Sequence, residues 1–360
     1  MSRYYVDHIT IKRDVAMAFF DLPDFDNHEQ VVFCSDEESG LKAIIAVHST
    51  KLGAAVGGCR LWDYASDEEA LTDVLRLSKG MTYKNALAGL SMGGGKSVII
   101  GDAKSLKSEA LFKAFGNALN GLNGRYLSAE DVNITTADIA IANTVTPYVT
   151  GTEGKSGNPA PFTALGTFLG IKASVKHKLN RDDLTGLTVA VQGLGSVGFA
   201  LCEHLHKAGA KLIVTDISSE SLDKAATTFG ATVVGLDEIY HQEADIYAPC
   251  ALGATINDET IDQIKAKIIA GCANNQLAES KHDQALVERG ILYAPDYVIN
   301  AGGIINVSFE NDYCAEKSTK KVEEIYNTLL KIYTKADNDK RPTGIIADEM
   351  AQEIIKNGGK

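Results

Sequence analysis

The sequence predicts an α/β protein of two domains, on three observations. The chain has 360 residues, which is enough for about two domains. From Leu187 onward, short apolar strands alternate with helices, as is typical of a parallel sheet with crossover helices. Gly, Ser, Asn and Pro cluster at 150–166, which indicates a loop and a domain boundary. We therefore expect one domain at 1–150, completed by about 340–360, and a second domain at 151–339.

The first domain is predicted to mix strands with amphipathic helices. Its predicted strands are 30–36, 41–50 and 97–102. Its predicted helices are 66–89, 105–122 and one that begins at Thr135 or Thr136. The helix at 66–89 has a clear start, because Ser66 and Glu69 have the spacing of a capping box.

The second domain is predicted to be a parallel sheet covered by helices. Its predicted strands are 187–193, 210–216, 244–250, 266–274 and 290–300. The predicted helices of this part of the chain are 162–179, 196–209, about 315–336 and about 345–355. We expect the C-terminal helices to pack back across the cleft between the two domains.

The composition narrows the possible functions. The net charge of −12 argues against a nucleic-acid or anionic-membrane partner. No apolar run approaches the length of a membrane span. The N-terminus carries charges where a signal peptide needs an apolar core. We therefore expect a cytoplasmic protein with no nucleic-acid and no membrane partner.

The cysteines and histidines predict neither a disulfide nor a metal site. No two cysteines form a C-x-x-C pair and most have apolar neighbours, so we expect buried free thiols. The six cysteines are Cys34, Cys59, Cys202, Cys250, Cys272 and Cys314. His204 and His206 lie two apart on a predicted helix, so they do not share a face, and there is no H-E-x-x-H motif.

The stretch GLSMGGGKSVII at 89–100 resembles a phosphate-binding P-loop but departs from it in two ways. A P-loop has four residues between its two glycines, and here five separate Gly89 from Gly95. A P-loop lysine opens a helix, whereas Lys96 precedes a short apolar strand. Two interpretations stay open at this point: a glycine-rich turn with an incidental lysine, or a lysine with a different chemical role.

The segment VAVQGLGSVG predicts a dinucleotide site. Gly193, Gly195 and Gly198 form G-x-G-x-x-G between a predicted strand and a predicted helix, and Asp216 ends the next strand. The glycines allow a tight turn and a close approach of the pyrophosphate, which the helix N-terminus then faces. This context predicts a Rossmann domain. The residues expected to bind the cofactor here are Gly193, Leu194, Gly195, Ser196, Val197, Gly198 and Asp216.

Asp216 favours NAD over NADP. Its carboxylate would accept hydrogen bonds from the adenosine ribose hydroxyls and would repel a 2′-phosphate. The residues that follow it, ISSE, contain no arginine that could neutralise such a phosphate. A Rossmann domain without catalytic function is the alternative at this point.

A nicotinamide cofactor implies hydride transfer, so the first domain is expected to hold the substrate. This domain contains Lys84, Lys96 and Asp131 close to glycine-rich or apolar segments. A lysine that loses its hydrating water beside another cation can act as a base near neutral pH. The alternative is that both lysines are surface cations, which is the usual place of lysine. If they are buried, Asp131 is the expected charge partner.

Five segments resemble the Glu/Leu/Phe/Val amino acid dehydrogenase family, and they occur in the order typical of that family. They are MTYKNALAGLSMGGGKSVIIGD, GRYLSAEDVNIT, SGNPAPFTALG, VAVQGLGSVG and APDYVINAGGIINV. The resemblance extends from about Glu29 to about Ile355 and is greatest to the leucine dehydrogenase branch. It implies NAD-dependent, reversible oxidative deamination of an L-amino acid to a 2-oxo acid and ammonia. It also implies a homo-oligomer, with an octamer expected and a dimer or tetramer possible.

The resemblance implies three chemical roles. Lys96 would activate the water that attacks the imino carbon. Lys84 would bind the substrate carboxylate. Asp131 would transfer protons to and from the amino nitrogen. This division of roles requires no metal ion.

The resemblance also implies binding contacts. Gly57 would line the substrate carboxylate site with its backbone. Asn275 and Asn300 would line the substrate and the nicotinamide. Thr150 would form a hydrogen bond with the nicotinamide carboxamide.

Four apolar residues fall on the substrate side-chain pocket by the same resemblance. They are Val56, Ala129, Ile304 and Val307. Glutamate is disfavoured as substrate, because its second carboxylate would be buried there without a partner. Leucine, valine or isoleucine is expected instead, and phenylalanine or tryptophan is the alternative, since one methylene changes binding by only about 1–3 kcal/mol. A non-catalytic NAD-binding regulator and a P-loop ATPase are the alternatives from other classes.

Overall fold

The computed structural model describes residues 19–152 and 157–359 and contains two sheets. The strands of the first sheet are β1 (Gln30–Asp36), β2 (Leu41–Ser49), β3 (Ala55–Trp62), β4 (Gly93–Ile100) and β5 (Tyr126–Glu130). Their order in the sheet is β1-β2-β4-β3-β5. β2 runs antiparallel to β1 and β4, whereas β3 runs parallel to β4 and β5. The carboxyl ends of β3, β4 and β5 therefore lie at one edge of the sheet.

Four helices pack on the two faces of the first sheet. They are α1 (Asp67–Leu87), α2 (Ala103–Leu106), α3 (Glu109–Asn120) and α4 (Thr136–Asn143). α1 packs on one face, against β2 and β4, and α3 and α4 pack on the other. A Cβ atom on Gly94 would lie 2.0 Å from the backbone nitrogen of Thr82 in α1. A glycine is therefore required at position 94, because any side chain would push α1 away from β4.

The second sheet has the strand order of a Rossmann fold. Its strands are β6 (Thr188–Gln192), β7 (Lys211–Thr215), β8 (Thr232–Val233), β9 (Ile246–Pro249), β10 (Ile268–Ile269) and β11 (Leu292–Tyr293). They lie in the order β11-β10-β9-β6-β7-β8, and every neighbouring pair is parallel. This is the doubly wound order, which places a ligand at the carboxyl ends of the strands where the winding reverses. The α/β class and the Rossmann fold are thus confirmed.

The remaining helices surround the second sheet and return to the first. They are α5 (Ala160–Leu179), α6 (Ser196–Lys207), α7 (Ser219–Phe229), α8 (Lys281–Glu288), α9 (Asp296–Ile299), α10 (Gly302–Val307), α11 (Ala315–Asp339) and α12 (Thr343–Lys356). α12 packs against α1, and the Gln352 side-chain amide donates a 2.8 Å hydrogen bond to the Tyr83 hydroxyl. The predicted return of the C-terminal helices across the cleft is confirmed.

Several predicted elements differ in the structure. The glycines before Lys96 belong to β4 and do not form a turn. The helix expected at 105–122 is two helices, because the Ser108 hydroxyl caps a new helix start through the Leu111 N–H. The strand expected at 290–300 ends after Tyr293, and α9 begins after Pro295. The sequence patterns also failed to predict β3 and α10, where glycines interrupt the apolar periodicity.

Two observations bear on the expectations from composition. No helix in residues 19–152 or 157–359 is long and apolar enough to cross a membrane. All six cysteines are free, and Cys59 and Cys202 are fully buried. The N-terminal segment considered as a signal peptide lies outside the described residues.

Candidate active site

A cavity of about 350 Å³ between the two sheets brings together most of the residues that the sequence singled out. The first sheet and α1 form one wall, and α9, α10 and the segment after β10 form the other. The predicted residues that line it are Gly57, Lys84, Lys96, Ala129, Asp131, Val197, Asn275, Asn300, Ile304 and Val307. Val56, Thr150, Asp216 and the other residues of the dinucleotide loop lie outside its lining.

Lys96 and Asp131 form an ion pair in this cavity. The Lys96 Nζ atom lies 2.8 Å from Asp131 Oδ2, and Lys96 is only 6% exposed. Arg60 Nε donates to the same oxygen at 3.2 Å. Burial alone would raise the pKa of Asp131, but Lys96 and Arg60 hold it below its usual value. The expectation that the lysine is buried and paired with Asp131 therefore agrees with the structure.

The position of Lys96 also excludes the P-loop interpretation. Lys96 lies inside β4, and its backbone continues an extended strand rather than opening a helix. A P-loop needs a helix N-terminus at the lysine in order to direct backbone N–H groups toward phosphate. The glycine-rich stretch is therefore a strand packed closely against α1.

Lys84 is the second cation of the cavity. It lies in the last turn of α1, and its Nζ atom lies 3.4 Å from the Asn274 side-chain oxygen. Burial lowers the pKa of Lys84 to about 8, although the Asp296 carboxylate acts in the opposite direction. A lysine with this pKa is largely charged at neutral pH and loses its charge in mildly alkaline solution.

Asn300 presents an unused acceptor to the site. Its Nδ2 atom donates to the Asn274 side-chain oxygen at 2.6 Å and to the Cys272 carbonyl at 3.1 Å. Its Oδ1 atom is buried and accepts no hydrogen bond within the described part of the chain. A buried acceptor without a partner is costly, so the site is suited to a ligand that donates a hydrogen bond.

The polar residues of the site that sequence reasoning missed include Arg60, Asn274 and Asp296. Arg60 could have been found, because it is the single charge in the apolar strand AVGGCRLW. Asp296 gives no such signal: it accepts hydrogen bonds from the Gln276 N–H and the Tyr293 hydroxyl, which are brought to it only by folding. Asn274, rather than its neighbour Asn275, connects Lys84 to Asn300.

The cavity is also lined by apolar side chains. Ala129, Ile304 and Val307 line it as predicted, and α1 adds Leu77 and Met81, which the sequence did not indicate. Val56 is 1% exposed and does not line the cavity. The described lining thus contains three of the four residues predicted for the side-chain pocket.

The Thr150 hydroxyl donates to the Glu310 carboxylate, which also accepts the N–H groups of Gly151 and Thr152. Gly151 lines the cavity, and Thr150 does not. A hydroxyl that donates to a carboxylate keeps its oxygen lone pairs for another donor. A contact of Thr150 with a carboxamide N–H stays a prediction.

The dinucleotide loop has room for a phosphate at one glycine only. A Cβ on Gly193 would lie 2.7 Å from the Ala251 Cβ, and one on Gly198 would lie 2.1 Å from the Gly193 carbonyl oxygen. A Cβ on Gly195 would have no atom within 4 Å. Gly193 and Gly198 therefore serve packing, whereas Gly195 faces open space at the start of α6, where a pyrophosphate fits.

Asp216 follows β7 directly and fixes this loop. Its carboxylate accepts the N–H groups of Leu194 and Ser218. Ile217, the next residue, is 90% exposed. The carboxylate thus stands beside the glycine loop, as the expected contact with a ribose requires.

We expect Gly195→Ala to weaken NAD binding by about tenfold or more without loss of stability. The added methyl group would occupy the space that the pyrophosphate needs, but it would touch no protein atom. NADH fluorescence titration and the thermal unfolding midpoint measure the two effects.

The matched variant Gly198→Ala should behave differently, because its methyl group would collide with the Gly193 carbonyl and destabilise the protein. Unchanged NADH affinity in Gly195→Ala would mean that the pyrophosphate does not bind at this loop.

Comparison with known proteins agrees with this site. The profile of the "Glu/Leu/Phe/Val dehydrogenase, dimerisation domain" matches residues 28–151, and that of "Glutamate/Leucine/Phenylalanine/Valine dehydrogenase" matches residues 214–343. Leucine dehydrogenase of Thermoactinomyces intermedius is 55% identical over 344 residues, which are 94% of each chain.

The chain belongs to the Glu/Leu/Phe/Val amino acid dehydrogenase family.

Two further relatives are similar over most of the chain. Phenylalanine dehydrogenase of Bacillus thermotolerans is 46% identical, over 98% of this chain and 95% of the relative. The crystal structure of L-tryptophan dehydrogenase from Nostoc punctiforme superposes with a TM-score of 0.80 at 47% identity, over 92% of this chain and 97% of that one. The resemblance read from the sequence is thus confirmed. The protein is an amino acid dehydrogenase that uses a nicotinamide dinucleotide.

Proposed function

We propose that the protein catalyses the NAD-dependent, reversible oxidative deamination of leucine, valine or isoleucine to the 2-oxo acid and ammonia. The observation that carries this proposal is the meeting of Lys84, Lys96 and Asp131 at a cavity that apolar side chains also line. A higher identity to a leucine dehydrogenase (55%) than to a phenylalanine dehydrogenase (46%) supports an aliphatic substrate.

Three residues carry the chemistry in this proposal. When bound, NAD would supply the acceptor for the hydride that leaves the substrate α-carbon. The Lys84 ammonium binds the substrate carboxylate. Asp131 takes a proton from the substrate amino group and later returns one to the departing ammonia. Lys96, in its neutral form, takes a proton from the water molecule that attacks the imino carbon.

Other residues of the cavity bind and orient the substrate. We infer that the Gly57 backbone lies beside the substrate carboxylate, and that Asn300 Oδ1 accepts a hydrogen bond from the amino group. Asn275 and Thr150 are assigned to the nicotinamide side. Ala129, Ile304 and Val307 contact the aliphatic side chain.

The substrate assignment is tested with a panel of L-amino acids. We expect kcat/KM for leucine, valine and isoleucine to exceed that for phenylalanine and tryptophan. Glutamate is expected to be inactive, because the predicted pocket residues Ala129, Ile304 and Val307 offer a second carboxylate neither a cation nor a hydroxyl group. A higher kcat/KM for phenylalanine or tryptophan than for leucine would assign the enzyme to an aromatic substrate.

We expect the affinity for 4-methylpentanoate, a leucine analogue without the amino group, to fall as pH rises through about 8. Lys84 is charged below that pKa and neutral above it, while the inhibitor carboxylate stays ionised throughout. Well above the pKa the inhibition constant should rise by about tenfold per pH unit.

The control is Lys84→Gln, which has no charge to lose. Its inhibition by 4-methylpentanoate should be weak and independent of pH. An inhibition constant of the wild-type enzyme that stays unchanged between about pH 6 and about pH 10 would contradict the role of Lys84.

We propose NAD rather than NADP as the cofactor. The Asp216 carboxylate stands beside the glycine loop, and a negative charge there repels a 2′-phosphate. The test is the ratio of kcat/KM for NAD to that for NADP, which should be well above one.

We propose a division of the chain at 150/151, with 1–150 and about 340–360 forming the substrate domain and 151–339 the NAD domain. The change from the first sheet to α5 and the packing of α12 against α1 support this division.

We also propose that the protein is a cytoplasmic homo-oligomer. Light scattering coupled to size-exclusion chromatography distinguishes an octamer from a dimer or tetramer.

A further inference from the structure

Arg60 joins two carboxylates at the edge of the cavity. Its Nε atom donates to Asp131 Oδ2 at 3.2 Å, and its Nη1 atom donates to Asp73 Oδ2 at 2.9 Å. The Tyr64 hydroxyl donates to the same Asp73 oxygen at 2.6 Å. The Arg60 side chain is 18% exposed, so it is held in place by its partners and by the surrounding chain.

The backbone of β3 is shaped to allow this contact. A Cβ on Gly58 would lie 2.7 Å from the Asp131 Cβ, so only glycine lets Asp131 lie against β3. Arg60 is two residues further along the strand and therefore lies on the same face as Gly58. Its guanidinium reaches the carboxylate from there.

The contacts of Asp131 are divided between its two oxygens. Lys96 and Arg60 both contact Oδ2. Within the described residues, no hydrogen bond is donated to Oδ1. One oxygen is thus anchored by two cations, and the other is left for the substrate amino group.

The two cations differ in one chemical property. A lysine can give up its proton, whereas an arginine stays charged at any pH at which the protein is folded. In the proposed reaction Lys96 is neutral when it activates water. During that part of the cycle Arg60 is the permanent cation in contact with Asp131.

We propose that Arg60 is a positioning residue that keeps Asp131 ionised, with Oδ1 directed to the substrate, while Lys96 is neutral. This inference rests on the proposed function of Asp131. It predicts that the guanidinium charge, and not only its volume, is needed for proton transfer to and from the substrate nitrogen.

The ionisation of Asp131 depends on several neighbouring groups, which come from each element around it. They are Lys96 from β4, Arg60 and Cys59 from β3, Tyr126 and Glu130 from β5, Lys84 from α1, and Tyr64 and Asp73 beyond Arg60. Arg60 is the one arginine among them, and an arginine keeps its proton at every working pH. Removing it should therefore raise the pH at which Asp131 loses its proton.

The test is the pH dependence of the first NADH formed after mixing enzyme, NAD and leucine in a stopped-flow instrument. This burst precedes water attack, so it isolates the hydride step from the proposed role of Lys96. A slower burst with α-deuterated leucine identifies that step. The acid limb is the part of the pH profile where the burst rate falls as pH is lowered. For Arg60→Gln we expect the midpoint of this limb to shift to higher pH by about one pH unit or more. For Arg60→Lys, which keeps the charge, we expect the midpoint to stay close to that of the wild type.

Two controls separate this effect from a general loss of structure. Arg125→Gln removes an arginine that directly precedes β5 and pairs with Glu29 away from the cavity, and its burst should match the wild type. Asp73→Asn removes a negative charge near Arg60 and should move the acid limb down. If Arg60→Gln does not fold, the proposal is tested by Asp73→Asn alone. A midpoint of its acid limb that is unchanged or shifted to higher pH would then overturn the proposal.

The experiment distinguishes a failure of the inference on Arg60 from a failure of the proposed function of Asp131. An unshifted acid limb in a folded Arg60→Gln enzyme, or equal shifts in the Gln and Lys variants, would overturn the role of Arg60 alone. If Asp131→Asn keeps a normal burst rate, the proposed function of Asp131 is wrong, and the inference on Arg60 falls with it.

Discussion

Turnover of the Lys96→Ala variant is expected to fall by about three orders of magnitude, while its affinity for NADH stays unchanged. A positioned general base contributes about 10²–10⁴-fold to a reaction rate, and in the proposed mechanism Lys96 is the base that activates water. The fold should survive, because Arg60 still pairs with the buried Asp131 carboxylate after the lysine is removed. Steady-state kcat and an NADH fluorescence titration measure the two quantities.

The matched control is Lys42→Ala, which makes the same substitution at an exposed position of β2 in the same sheet. Its turnover should equal that of the wild type. Near-normal turnover in Lys96→Ala would contradict the proposed role of Lys96. A loss of NADH affinity would instead indicate a damaged fold.

The Gly94→Ala variant is expected to lose at least about 3 kcal/mol of stability, or to fail to fold. Its Cβ atom would lie 2.0 Å from the Thr82 nitrogen and 2.4 Å from the Thr82 Cα atom, both of which belong to the backbone of α1. A helix backbone cannot yield as a side chain can, so α1 must move away from β4 and open the apolar core between α1 and the first sheet. Urea unfolding followed by circular dichroism measures the loss.

Gly80→Ala is the opposing control within α1. A Cβ there would have no atom within 4 Å, and alanine is favoured over glycine in a helix by about 1 kcal/mol. Its stability should be unchanged or increased. If Gly94→Ala is as stable as Gly80→Ala, the close contact between α1 and β4 is not present in solution.

The local motifs were predictable because the conformation of each depends on residues that are close together in the sequence. The segment GLGSVG combines three glycines with a preceding strand and a following helix, and that context defines a turn whatever surrounds it. Lys84, Lys96 and Asp131 could be chosen because their segments resemble one family in the family's order. Their meeting at one cavity agrees with the grouping that the sequence suggested.

The sequence did not predict features that depend on tertiary packing rather than on the local sequence pattern. The glycines at 93–95 looked like a turn, because glycine is rare inside strands, yet here they lie in a strand that another backbone approaches closely. Leu77 and Met81 of α1 line the cavity, although the sequence did not indicate them. The face that α1 turns toward the cavity depends on its packing against β4, which no short segment encodes.

By itself, the sequence determined the α/β class, the Rossmann glycine loop with its acidic residue Asp216, and the family with its lysines and aspartate. Composition, periodicity and motif spacing act over a few residues, so they can be recognised without the fold. Only the tertiary structure decided that Arg60 contacts Asp131, that Asn274 connects Lys84 to Asn300, and that α1 brings Leu77 and Met81 to the cavity. These contacts join residues far apart in the chain, and their energies depend on burial and charge, which exist only once the two sheets have closed around the cavity.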